Sequence, residues 1–220
     1  MRIHIKTSAN TQPIKFDYLQ RLVGTIHKWI GPNDIHDSMS LYSFSWLMGA
    51  ELTNGFLEFI NGASFFLSFY DENIMEDLVR SVLKDPVMFN GLEVTDIQLD
   101  RLPNLSDREL FYCASPILIK RHLADNTIRH FRYDDPQASQ YLKETLVRKM
   151  QKVGLEYDET LDIHFDLSYP NKKQKLVKYR GVGNKANMCP VIIKGKPETK
   201  LFAWTVGIGN STGIGFGAIY

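Results

Sequence analysis

Arg2-Ile3-His4-Ile5-Lys6 alternates apolar and polar side chains, the period of a half-buried strand with Ile3 and Ile5 facing inward. From Asp17 the spacing lengthens: Leu19, Leu22, Val23, Ile26 and Ile30 form one helical stripe, which Gly31-Pro32 stops. Leu41 to Leu47, Gly55 to Ile60 and Phe65 to Tyr70 read as aromatic-rich strands, and Asn61-Gly62 predicts a hairpin joining the last two. Asp71 caps a second helix carrying Met75, Leu78, Val79 and Val82, which ends near Asp85-Pro86. Val94 to Leu99 closes the series. The order β-α-β-β-β-α-β is a ferredoxin-like unit with one added hairpin.

The rhythm then repeats. A turn-rich stretch, Leu102 to Asp107, predicts a boundary between residues 1–104 and 105–220. Strands are predicted over Phe111 to Ile119 and Thr127 to Tyr133, and Asp134-Asp135-Pro136 opens a helix to about Val153. Leu161 to Tyr169, Lys175 to Val182 and Met188 to Lys194 are further strands. Pro197-Glu198 starts a short helix with Leu201, Phe202, Thr205 and Val206 on one side, and Gly215 to Tyr220 forms a last strand. The expected fold is α+β, two tandem ferredoxin-like (RRM-like) units.

Composition narrows what such a fold does. Net charge is +1, so a nucleic-acid site must be a local patch and not a property of the whole surface. The two cysteines, Cys113 and Cys189, lie in apolar strand-like runs without metal-ligand spacing and read as buried thiols in a reducing compartment. No stretch has the apolar length of a membrane span and the first residues are no signal peptide, so a soluble, cytoplasmic protein is expected. Between Val206 and Tyr220 five glycines alternate with apolar residues around Asn210-Ser211-Thr212. A phosphate-binding loop needs a strand before its glycines and a helix after them. Here the order is reversed, which argues against a nucleotide cofactor.

Four segments carry a resemblance. Gly207-Ile208-Gly209 with Gly215-Phe216-Gly217, Ser115-Pro116-Ile117, the Leu22 to Ile30 helix, and Ile35-His36 followed by Leu41 to Ser45 occur in the order found in one family. On these residues the chain resembles the CRISPR-associated protein six endoribonucleases of the RAMP superfamily, which cut precursor CRISPR RNA within its repeats. The resemblance implies CRISPR repeat RNA as partner, no cofactor and no metal, and allows a homodimer or contact with other CRISPR effector subunits; no membrane partner is expected.

Self-cleavage of RNA by 2′-OH attack leaves a 2′,3′-cyclic phosphate and a 5′-OH, and needs a base, an acid and positive charge. Histidine suits both proton transfers because its unperturbed pKa, roughly 6.5, lies near working pH. Of six histidines, His4 and His164 alternate with strand residues, and His122 and His130 flank Asp125-Asn126 as surface or RNA-holding groups. His27 and His36 fall on either side of one helix stop. The resemblance places His36 at the catalytic position and His27 where members carry tyrosine or a second histidine; which is acid and which is base stays open. The lysine that three-part sites carry after the histidine is missing from Asp37-Ser38-Met39-Ser40, leaving Lys28, Ser38 or Ser43 to stabilise the phosphorane.

RNA phosphates are expected at Lys172, Lys173, Lys175, Lys178, Arg180 and Lys185, with Lys178 and Arg180 on one face of a strand and Val177 and Tyr179 on the other. Lys120-Arg121-His122 and Arg129 to Arg132 are secondary clusters. Lys28 is a further contact, and the loop residues Gly207, Gly209, Asn210, Ser211, Gly215 and Gly217 are expected to offer amides and hydroxyls to the backbone. A repeat-specific endoribonuclease and a non-catalytic RNA-binding subunit of an effector complex remain the two readings.

Overall fold

The computed structural model describes residues 1–31 and 39–220. In the first half, β1 (Arg2–Thr7), α1 (Leu19–Ile30), β2 (Tyr42–Phe44), β3 (Glu51–Thr53), β4 (Phe56–Glu58), β5 (Ser64–Phe69), α2 (Glu72–Lys84) and β6 (Val94–Leu99) follow in turn. The main sheet is antiparallel with strand order β2-β5-β1-β6, the ferredoxin-like order, and β3–β4 is a separate hairpin inserted before β5. Both helices follow the apolar stripe: Leu22, Val23 and Ile26 are buried on α1, and Met75, Leu78 and Val82 on α2. Asp71 caps α2 through its carboxylate, which accepts from Asn73 N at 2.9 Å.

The hairpin expected at Asn61-Gly62 forms elsewhere. β4 pairs with β3 across Asn54-Gly55, where both residues have positive φ (50° and 80°), as a tight primed turn requires. Asn61-Gly62 is also a turn, but Gly62 packs against the Thr7 carbonyl and no hairpin grows from it.

The second half contains β7 (Leu110–Phe111), β8 (Lys120–His122), β9 (Ile128–His130), α3 (Ala138–Lys152), β10 (Asp162–Phe165), β11 (Lys173–Tyr179), β12 (Val182–Met188), β13 (Val191–Lys194) and α4 (Pro197–Val206). Its sheet runs β10-β13-β7, and reciprocal 3.0 Å bonds between Tyr112 and Tyr220 lay the last residues beside β7. That is the first unit's order again, so the fold is two tandem ferredoxin-like units. The long strand expected over Phe111 to Ile119 is broken. Pro116 has no N–H to donate, and this segment instead holds the chain end, Ser115 Oγ accepting from Ala218 N and Pro116 O from Gly217 N, each at 2.9 Å. What read as strands over Lys175 to Val182 and Met188 to Lys194 is the β11–β12 hairpin followed by β13. α4 is buried nearly all round, not on one side, because it lies between the units.

One core gathers Ile3, Leu22, Phe44, Phe65 and Leu78, with Leu118, Val177 and Phe216 reaching in from the second half. The other gathers Phe111, Leu142, Leu146, Ile193 and Val206. Arg2 crosses the seam. Its guanidinium donates to Trp204 O at 2.7 Å and Ile219 O at 2.9 Å, and lies 3.8 Å and 3.4 Å from the Phe66 and Trp204 ring centroids.

Candidate functional site

His27 stands in the last turn of α1. Its Nε2 lies 3.1 Å from the Tyr42 hydroxyl, which donates to Gly213 O at 3.0 Å. A phenol has one proton. With that proton on the carbonyl, the oxygen accepts from His27, so Nε2 carries the N–H. Tyr42 is rigid, buried and stacked on Phe69 with centroids 4.8 Å apart and planes 7° off parallel. Burial raises its pKa and keeps the phenol neutral. A Cβ on Gly213 would lie 2.9 Å from that hydroxyl, so glycine is what lets the loop approach.

His36 and Ser38 lie outside the described residues. The carbonyl of Met39, the next described residue, accepts from Lys152 Nζ at 3.1 Å. Lys152, Met39, Tyr42 and Asp71 line one cleft of about 100 Å³.

The other expected site residues divide. Lys28 is engaged within the protein: Nζ donates to Asp85 Oδ2 at 2.9 Å and Val87 O at 2.6 Å, and the hydrogen bond lowers the Asp85 pKa. Ser43 is fully buried and donates to Thr205 O at 2.9 Å, which removes it as a phosphorane partner. Gly207, Gly209, Gly215 and Gly217 are buried between the units. The amides of Gly207, Gly215 and Gly217 bond to Ala203, Thr212 and Pro116 carbonyls, so the expectation that these amides are open to a phosphate is corrected. Asn210 is half-buried and clamps the β8 approach, its amide donating to Leu118 O at 2.7 Å and its Oδ1 accepting from Lys120 N at 2.9 Å. Ser211, half-buried with φ 63°, forms the polar tip beside it.

Lys173, Lys175 and Lys178 lie on β11, with Lys172 just before it donating to Tyr169 O at 3.1 Å. Arg180 does not share a strand face with Lys178: it occupies the β11–β12 turn with φ 48°. Lys185 lies on β12, and burial together with the charges of Lys120 and Lys185 lowers the His130 pKa. Arg121, Arg129 and Arg132 face Glu144, Asp135 and Asp134 at 3.0–3.3 Å and are neutralised within the protein. The basic surface is therefore lysine-rich and centred on the β11–β12 hairpin.

Sequence reasoning assigned no role to Tyr42 or Lys149. Lys149 is 3 % exposed, and its Nζ donates to Val206 O (3.0 Å), Gly207 O (3.2 Å) and Thr212 Oγ1 (3.0 Å). One signal existed. Lys149 falls on the apolar face of α3 with Leu142 and Leu146, where a charge needs partners. Tyr42 carried no such signal, because its acceptor lies 171 residues away.

These features define a tandem ferredoxin-like protein with a histidine held against a buried glycine loop. The family model described as CRISPR associated protein Cas6, C-terminal, matches residues 100–220, and the chain belongs to that family. Among solved structures it is similar to a CRISPR associated protein Cas6, at 17 % identity and TM-score 0.84, covering 100 % of this chain and 98 % of that one. A Cas6-related protein from Pyrococcus furiosus gives 20 % identity, TM-score 0.81 and coverage of 100 % and 97 %. A RAMP protein that binds different RNA substrates gives 20 %, 0.83, and 100 % and 98 %. No match was found among curated proteins.

Proposed function

We propose that the protein is a metal-independent endoribonuclease that cleaves precursor CRISPR RNA within its repeats by 2′-OH attack, leaving 2′,3′-cyclic phosphate and 5′-OH ends. The observation that carries this reading is the His27–Tyr42–Gly213 chain, which fixes an imidazole at the end of α1. In a chain of this family, an imidazole so fixed supports a proton-transfer role for His27. His36 acts as general base and His27 as general acid or transition-state donor, with the roles open to exchange. Each transfer contributes about 10²–10⁴ in rate. The histidines belong to residues 1–104 and the glycine loop and basic hairpin to 105–220, so the RNA spans both units. Lys172, Lys173, Lys175, Lys178, Arg180 and Lys185 supply phosphate contacts, and affinity falls as salt rises. Function in the cytoplasm, as a homodimer or beside other effector subunits, is compatible with this role.

A second reading, a non-catalytic repeat-binding subunit, is favoured by one observation: Lys28 and Ser43 are engaged within the protein. Denaturing-gel analysis of cognate repeat RNA separates the two. Wild type should yield a cyclic-phosphate end, and His36→Ala should abolish cutting while repeat affinity stays within a few fold. Undiminished cutting by His36→Ala, or cutting of a substrate with 2′-deoxyribose at the scissile position, would exclude the mechanism.

A further inference from the structure

Away from His27, a groove of about 400 Å³ opens between the approach to α1 and strand β11. Phe16, on one wall, is 63 % exposed, a large aromatic face left in water. Trp46 lines the same groove and is anchored at both ends: Nε1 donates to Gly215 O at 2.8 Å, and its backbone amide to Ala114 O at 3.1 Å. Lys175 Nζ sits 5.3 Å from the Trp46 ring centroid. Leu176 and Lys178 continue that wall, and Asp17 is the one carboxylate in the lining among the described residues. Neither Lys175 nor Lys178 makes an ion pair among the described residues.

An exposed aromatic residue beside two cations that no carboxylate among the described residues neutralises matches the needs of a single-stranded nucleotide. The ring stacks on the base, and the ammonium groups meet the phosphates. The volume falls in the range of small-ligand pockets. An apolar peptide would fill the groove but leave both lysines without countercharge. We infer that the groove takes one unstacked nucleobase of the RNA, its face against Phe16 and its flanking phosphates on Lys175 and Lys178. This rests on the RNA-cleaving reading above and adds a specificity pocket to it. Asp17 accepts from N–H donors on the edge of the base, so a base with exocyclic amino groups is preferred. Burial lowers the Lys175 pKa, a sign of an ammonium partly withdrawn from water that an arriving phosphate would compensate. α1 begins at Leu19 and carries His27 two turns on, about 12 Å along its axis.

The test uses cognate CRISPR repeat RNA carrying a single abasic ribose at each position in turn, with Kd measured for wild type and Phe16→Ala. Phe16 is exposed, so the variant should fold, and a thermal melt confirms it. Phe16→Ala should bind intact repeat about five- to hundredfold more weakly. One abasic position should weaken wild type comparably, and at that position alone Phe16→Ala should add nothing. Additive losses at every position overturn the inference. So does unchanged RNA affinity of Phe16→Ala, which assigns the groove to a polypeptide or a second copy. If wild type still cuts the repeat in those cases, only the pocket falls. If wild type neither binds nor cuts the repeat, the pocket and the nuclease reading fall together.

Discussion

Tyr42 shares its single hydroxyl between two chain segments that meet only after folding, accepting from His27 and donating to Gly213. Phenylalanine keeps the ring stacked on Phe69 but removes the hydrogen bond to the Gly213 carbonyl and the one to the imidazole. Tyr42→Phe should cost about 1–3 kcal/mol of stability. It should also lower the cleavage rate at saturating RNA about tenfold and shift the pH–rate profile. A thermal melt together with single-turnover rates across the histidine range measures both. A tyrosine that served packing alone would move the melt and leave the pH profile in place. At this scale the position of His27 near the end of α1 was legible, because the helix stop is a local signal. Tyr42 was not, because nothing near it in the chain announces a glycine carbonyl as its partner.

Helices were read well from the chain and hairpins less so. A helical stripe is set by neighbours three and four residues away, so α1 and α2 lie within a few residues of their predicted limits. A hairpin depends on which strand its turn delivers. The chain offers both Asn54-Gly55 and Asn61-Gly62, and contact between Gly62 and β1 decides that only the first nucleates a hairpin. The glycine-rich loop was legible as glycines pressed against something, but that something is the other ferredoxin-like unit. At Gly217, with φ 69°, a Cβ would collide with the Ile208 carbonyl, whereas at Gly154, with φ 72°, it would meet nothing within 4 Å. Gly154→Ala should therefore cost about 1 kcal/mol, the backbone penalty alone. Gly217→Ala should cost about 3 kcal/mol or more, since the loop must also move. Urea unfolding compares them, and equal losses would mean that close packing of the loop contributes little.

Arg2 joins the two units, while a second buried cation, Lys149, whose partners all lie in the second unit, gives the whole molecule a pH dependence. Lys149 is held against the end of α4 by three oxygens, and burial lowers its pKa to about 7. An unfolded lysine titrates near 10.4. Between these values the unfolded chain binds the extra proton, so stability rises with pH, by up to about 1.4 kcal/mol per unit. Below about pH 7 both states are protonated and the slope vanishes. Between pH 7 and 9, urea unfolding of wild type minus that of Lys149→Met should show a positive slope; parallel curves would contradict it. Sequence by itself determined the α1 and α2 stripes, the repeated α+β rhythm and the glycine loop, because each is encoded by spacing within one segment. Only the tertiary structure decided which turn makes a hairpin, that the loop's glycines are buried, and that Tyr42 and Lys149 bind it. Those outcomes depend on partners far apart in the chain, 57 residues for Lys149 and Val206 and 171 for Tyr42 and Gly213, or on a second unit arriving to cover the first.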